Sequence, residues 1–80
     1  KDNGLTVKNF SATQSTISIA LNTPAIIKFI TETGIVSTVK GQRATYDIPQ
    51  KGGSPGLVYV RIEVEDDSGE RIFLQPVMYK

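Results

Sequence analysis

Carboxylates are the side chains dense enough in this 80-residue sequence to suggest chemistry, with Glu63, Glu65, Asp66, Asp67 and Glu70 crowded into one stretch. Calcium takes about six to eight oxygen ligands, so an acidic run of this kind invites a metal reading. Asp66-Asp67-Ser68-Gly69, however, lacks the alternating ligand spacing of a dedicated calcium loop, and no distant carboxylate is aimed at it. Asp, Ser and Gly are also the residues a tight hairpin turn uses, and the turn is the preferred reading. Glu63 and Glu65, two apart, would stand side by side on the outer face of a strand. Acid–base catalysis needs a cleft and a perturbed environment that such a face does not provide. Asp47, close to Pro49, reads as polar surface.

Other candidates fare no better. Tyr46, Tyr59 and Tyr79, with Lys40, Arg43 and Arg61, could form an aromatic–basic platform for a sugar or a single-stranded nucleic acid. The plainer expectation puts Tyr46 in the core of its strand and has Tyr59 make the corner hydrogen bond common in β-sandwiches. The chain has neither histidine nor cysteine. No serine triad can be assembled within it, and neither thiolate catalysis nor a cysteine-based metal site is possible. Gly52-Gly53-Ser54-Pro55-Gly56 lacks the Lys-Ser/Thr of a phosphate loop and opens no helix. Asn9-Phe10-Ser11 matches a glycosylation sequon, a pattern common by chance. The sequence therefore assigns no catalytic, cofactor-binding or metal-binding residue and implies no cofactor.

The elements that would position these residues are strands. In Leu57–Glu65, Val58, Val60, Ile62 and Val64 fall on one face, and Tyr59, Arg61, Glu63 and Glu65 on the other. That period of two marks a half-buried strand. A three-residue loop Asp67-Ser68-Gly69 gives Gly69 the left-handed position and sets Asp66 opposite Glu70, Glu65 opposite Arg71, Val64 opposite Ile72 and Ile62 opposite Leu74. A four-residue loop would set Glu65 against Glu70 and Val64 against Arg71, so the shorter loop is preferred. Pro76 in the return strand implies an edge position or a bulge.

Upstream, Leu5–Phe10 reads as an edge strand, and Ser11–Gln14 as a polar turn. Ser15–Leu21 follows as a strand with Ile17, Ile19 and Leu21 on one face, ended by Asn22-Thr23-Pro24. Ala25–Ile30 is short enough for one helical turn or two, but its β-branched residues favour a central strand, with Ile27 and Phe29 inward. Ile35–Val39 and Arg43–Ile48 are further strands, separated by a turn at Lys40-Gly41-Gln42. Pro49–Gly56 is the most flexible stretch by composition.

About seven short strands with turn signals at roughly 8- to 12-residue intervals predict an all-β, antiparallel sandwich of the immunoglobulin-like or fibronectin-III-like kind. Residues 1–4 read as a linker and 5–80 as one domain, near the lower size limit for a free-standing core. The hydrophobic fraction of 39% supports such a core, and a net charge of +1 with interspersed signs gives no footprint for nucleic acid. No apolar run is long enough for membrane insertion. The first residue is Lys, so the chain reads as a processed product or a piece of something longer. The lack of cysteine assigns no compartment, since secreted and periplasmic sandwiches also do without it, and a secreted or periplasmic parent is the expectation.

Tyr59-Val-Arg-Ile-Glu-Val-Glu-Asp-Asp-Ser-Gly-Glu-Arg71 followed by Phe73-Leu-Gln-Pro-Val77 resembles the C-terminal segment of PHP-type metal-dependent phosphoesterases, the polymerase and histidinol phosphatase superfamily. Those chains often end in an aromatic-Val-Arg-Val-Glu-Val strand, an Asp/Gly turn followed by Arg, and an aromatic-x-Asn-Pro-Ile tail. Tyr59, Val60, Arg61, Glu63, Val64, Gly69, Arg71 and Pro76 match; Phe73, Gln75 and Val77 stand where Trp, Asn and Ile are usual. The resemblance covers about the last quarter of the chain. It implies a non-catalytic immunoglobulin-like accessory domain whose partner is the catalytic barrel of the same parent chain. The family's metal ligands belong to that barrel, and none carries over to this sequence. The alternative is an autonomous carbohydrate- or protein-binding module of a secreted or cell-surface protein.

Overall fold

A computed structural model describes residues 4–79; of the expected linker, Lys1 to Asn3 lie outside the described residues, as does Lys80. Among the described residues eight strands form: β1 (Val7–Ala12), β2 (Thr16–Thr31), β3 (Gly34–Asp47), β4 (Gln50–Lys51), β5 (Ser54–Pro55), β6 (Tyr59–Glu65), β7 (Arg71–Phe73) and β8 (Val77–Met78). The chain is all-β. One curled antiparallel sheet, a half-barrel, runs β1-β2-β6-β7 with β3 on the other side of β2 and β8 continuing along β6, while β4 and β5 make a small second sheet.

The long ribbon of β2 and β3 organises the molecule. Asn22-Thr23-Pro24 does not end a strand, and Lys40-Gly41-Gln42 does not turn the chain. Both segments lie inside continuous strands, at a place where the β2–β3 register jumps from Ala20↔Arg43 to Ala25↔Gly41. Four residues of β2 thus face one of β3, a bulge that absorbs Pro24 without needing its missing N–H and bends both strands. The expected strands 15–21 and 25–30 are the two arms of β2; 35–39 and 43–48 correspond to the arms of β3. The bend folds one arm over the other. Tyr46 lies opposite Ile17 and Phe29 opposite Ser37, nine positions apart along β3, yet the Phe29 and Tyr46 rings stack with centroids 5.5 Å apart.

The core lies inside this fold. Ile17, Ile19 and Leu21 from the first arm of β2 meet Ile27 and Phe29 from the second, joined by Val60, Ile62 and Val64 of β6, all at most 2% exposed. Burying side chains of this size contributes roughly 1.5–3 kcal/mol each before entropy is counted. Ala44 and Ile48 are buried and Tyr46 half-buried, as the alternation of Arg43–Ile48 requires. Leu5 caps the core from outside β1.

Pro49–Gly56, the stretch expected to be most flexible, is a tight β4–β5 hairpin. Gly52 and Gly53 sit at φ 62° and 84° in its two-residue turn, the pair of left-handed positions that a hairpin of this length favours. Pro55 is buried, which ties the hairpin to the domain.

Candidate functional site

The acidic stretch folds as the three-residue loop requires. The pairs Glu65↔Arg71 and Val64↔Ile72 have the expected register, Asp66 N–H donates to the Glu70 carbonyl at 3.0 Å, and Leu74 N–H to the Ile62 carbonyl at 3.1 Å. Gly69 takes φ 90°. The Asp66 carboxylate is the hub: one oxygen accepts from Ser68 N–H (3.0 Å), Ser68 Oγ (2.7 Å) and Glu70 N–H (3.0 Å). These bonds, the Ser68 hydroxyl first, favour the ionised form and hold Asp66 below the usual carboxylate range.

The neighbouring acids are likewise committed to structure. Glu65 pairs with Arg71 and Glu63 with Arg61, both at 3.4 Å and both partly exposed. Glu70 turns back to accept the Leu5 backbone N–H at 3.2 Å, tying the N-terminal segment to the hairpin. Among the described residues, no three His, Cys, Asp or Glu side chains converge on a point where they could hold a metal ion. Asp47 is exposed, as expected of polar surface.

The tyrosines do not form a platform. Tyr46 stacks on Phe29 at the core. The long-range tyrosine hydrogen bond belongs not to Tyr59 but to Tyr79, whose hydroxyl donates to the Thr13 carbonyl at 2.8 Å. This bond pins the end of the chain to the β1–β2 turn. The expectation for Tyr59 rests on the corner bond of β-sandwiches; Tyr79 reaches Thr13 because the tail continues along β6 past β8, with Tyr79 N–H donating to the Val58 carbonyl at 2.8 Å. The register slips by one between Glu63↔Phe73 and Val60↔Val77, so the tail carries one extra residue beside Pro76. Pro76 therefore marks a bulge, and burial raises the Tyr79 hydroxyl above its ordinary range.

Two surface features remain once these structural roles are assigned. The first is the outer face of β6, β7 and β8, where Tyr59, Arg61 and Glu63 alternate with the core residues. Met78 lies opposite Tyr59, and Phe73 opposite Glu63. Phe73 and Met78 are 61% and 62% exposed, and Ile35 of β3, in the row with Ile30 and Arg61, is 59% exposed. The second is an open trough of about 330 Å³ across β1, β2 and β3, with Ser18 and Ala20 on its floor between Asn9 and Ser11 on one side and Arg43 and Thr45 on the other.

No protein-family model, curated protein or solved structure matches this chain.

Proposed function

We propose that this chain is a non-catalytic accessory domain of the immunoglobulin-like class, attached to a metal-dependent phosphoesterase barrel and packing on it or capping it. What supports the reading is where the residues of the family-like tail fall. Val60 and Val64 serve the core, which any sandwich would need. Tyr59, Arg61 and Phe73 do not; they gather on one outer face, with Phe73 and Met78 largely exposed. Exposed apolar residues grouped on a sheet face suit a docking surface. The sandwich class is part of the proposal: with the small β4–β5 sheet set aside, each arm of β2 and β3 counted separately and β7 taken with β8, the curled sheet supplies seven strand segments, and the proposal takes them as two layers joined by bent strands.

The work of such a domain is to cover barrel surface, with no chemistry of its own. The test begins with the gene upstream of the codon for Lys1. The expected finding is a barrel-sized segment with His and Asp metal motifs, whose contact with this domain weakens when Phe73 is changed to Glu. A different upstream architecture, or metal-dependent phosphatase activity from the 80 residues alone, overturns the proposal.

The second reading, an autonomous binding module, is favoured by the trough. Hydroxyl, amide and guanidinium groups around a floor of small side chains suit a polar ligand such as a saccharide. Glycans that raise the melting temperature of the wild type, but not of an Asn9→Ala, Arg43→Ala variant, would move the assignment there.

A further inference from the structure

The ribbon leaves one long edge open. Among the described residues, β3 hydrogen-bonds as a strand only to β2, so the opposite edge of Gly34–Asp47 offers its backbone groups outward. Unpaired edges of this length template further pairing unless something blunts them. The bulge at Gln42 and the exposed Lys40 beside it interrupt the edge midway. Beyond the bulge, Arg43–Asp47 is regular: Arg43, Thr45 and Asp47 point to the outer face and are exposed, and Ala44 and Tyr46 point to the core.

Two copies of one strand can pair antiparallel about a two-fold axis perpendicular to the sheet, and this symmetry keeps outer face with outer face. The register must then be centred on a residue. Centring on Ala44 carries the pairing across the bulge and sets Asp47 against Gly41. Centring on Tyr46 sets Arg43 against Pro49, which has no N–H to give. Centring on Thr45 sets Arg43 of each copy opposite Asp47 of the other, and Thr45 opposite Thr45. Opposite charges and Thr–Thr are favourable cross-strand pairs, and here every pair occurs on a shared face. Among the described residues neither the Arg43 nor the Asp47 side chain has a hydrogen bond or ion pair within its own chain, so both are available for this pairing.

We propose that the Arg43–Asp47 edge of β3 pairs with the same edge of a second copy of this chain, joining two half-barrels into one continuous sheet. The contact is isologous and closes on itself, so it yields a dimer and not a fibre. Its short length makes it a weak one, with association expected between about 10 μM and 1 mM.

Sedimentation velocity over that concentration range tests it. The wild type is expected to shift from monomer to dimer. Arg43→Asp alone, or Asp47→Arg alone, turns two attractive pairs into two repulsive ones and should weaken association about tenfold or more. The combined R43D/D47R exchange restores opposite signs at the same positions and should restore the dimer. Both sites are exposed, so folding is expected to survive, which circular dichroism checks. A wild type that stays monomeric to 1 mM overturns the proposal. So does a dimer that ignores the single reversals, or one that Phe73→Glu abolishes, since that residue lies on β7, with β2 and β6 between it and the β3 edge.

Discussion

The molecule contains two antiparallel ribbons built on different principles. In the β6–β7–β8 ribbon, a turn that satisfies itself fixes the register: Asp66 takes three hydrogen bonds within four residues, and Gly69 supplies the one left-handed position. In the β2–β3 ribbon, the shape comes from the middle, where a bulge bends both strands and long-range packing holds the bend. Phe29 stacking on Tyr46 is a contact between the two arms of that ribbon. Local chemistry sets one ribbon, and the core sets the other. Damage should therefore spread differently through the two, and that difference can be measured.

The largest effect is expected at the ribbon that depends on the core. Phe29 is fully buried, and Phe29→Ala leaves a cavity and removes the inter-arm stack, at a cost of about 3–5 kcal/mol. For a domain this small that is a large part of the total stability. Urea unfolding should show a greatly lowered midpoint or a chain unfolded in water. A loss under about 1 kcal/mol would mean that the fold of the β2–β3 ribbon does not rest on this contact.

The next effect belongs to the locally set ribbon. Gly69 has open space where a side chain would project, so any penalty comes from its backbone and not from a clash. At φ 90° a Gly69→Val change should cost about 1–2 kcal/mol. It should raise amide exchange in Asp66–Phe73 more than in β2 or β3. Equal acceleration in both ribbons would mean that the two ribbons are not independent.

This contrast also explains which parts of the fold the sequence made legible. The β6–β7 register could be read because turn residues and cross-strand partners sit close together and agree, and the alternation named Val60, Ile62 and Val64 as the buried face, although Val58 on the same alternation is exposed because it precedes β6. The bend in β2 could not. Asn22-Thr23-Pro24 has the composition of a strand terminator, and only the pairing partner, Gly41-Gln42 on a distant segment, converts it into a bulge. Lys40-Gly41-Gln42 misleads in the same way, because a bulge opposite a bulge uses the residues of a turn. Pro49–Gly56 looked mobile by composition, yet two glycines and a buried proline are what a two-residue hairpin needs. At the candidate site, the acids read correctly as turn and surface. The hydrogen-bonding tyrosine was misplaced because its acceptor, Thr13, lies at the far end of the chain. The exposed apolar face of β7 and β8 could have been found: Phe73 and Met78 lie out of phase with Ile72, Leu74 and Val77, and a period-two count corrected for one extra residue at Pro76 puts both outside.

Between the two ribbons lies the Tyr79–Thr13 bond, which joins the end of one to the turn that opens the other. Tyr79→Phe removes the hydroxyl and keeps the ring, so the expected loss is about 0.5–1.5 kcal/mol, seen as a modest drop in melting temperature. Burial raises the folded-state pKa of Tyr79. The neutral form is therefore the stabilising one, its contribution is complete below the unfolded value near pH 10, and it is lost as pH rises through the folded value. Wild type and Y79F should converge in strongly alkaline solution. If they stay equally far apart there, the hydroxyl is not what separates them.

The smallest effect sharpens the comparison most, because it reads the turn alone. Asp66→Asn keeps an oxygen acceptor for Ser68 and Glu70 but removes the charge that shortens and strengthens those bonds. The folded-state pKa of Asp66 is lowered, so the charge contributes stability that is fully present above the unfolded value near 3.9 and is lost as pH falls through the folded value. Asp66 is exposed enough for solvent to screen much of this, so the difference between wild type and D66N should be small at pH 7 and gone in strong acid. Changing Phe29 should leave that pH dependence untouched, because among the described residues the core holding the β2–β3 ribbon contains no carboxylate. A D66N difference that persisted unchanged into strong acid would mean that turn geometry, and not charge, sets the β6–β7 register.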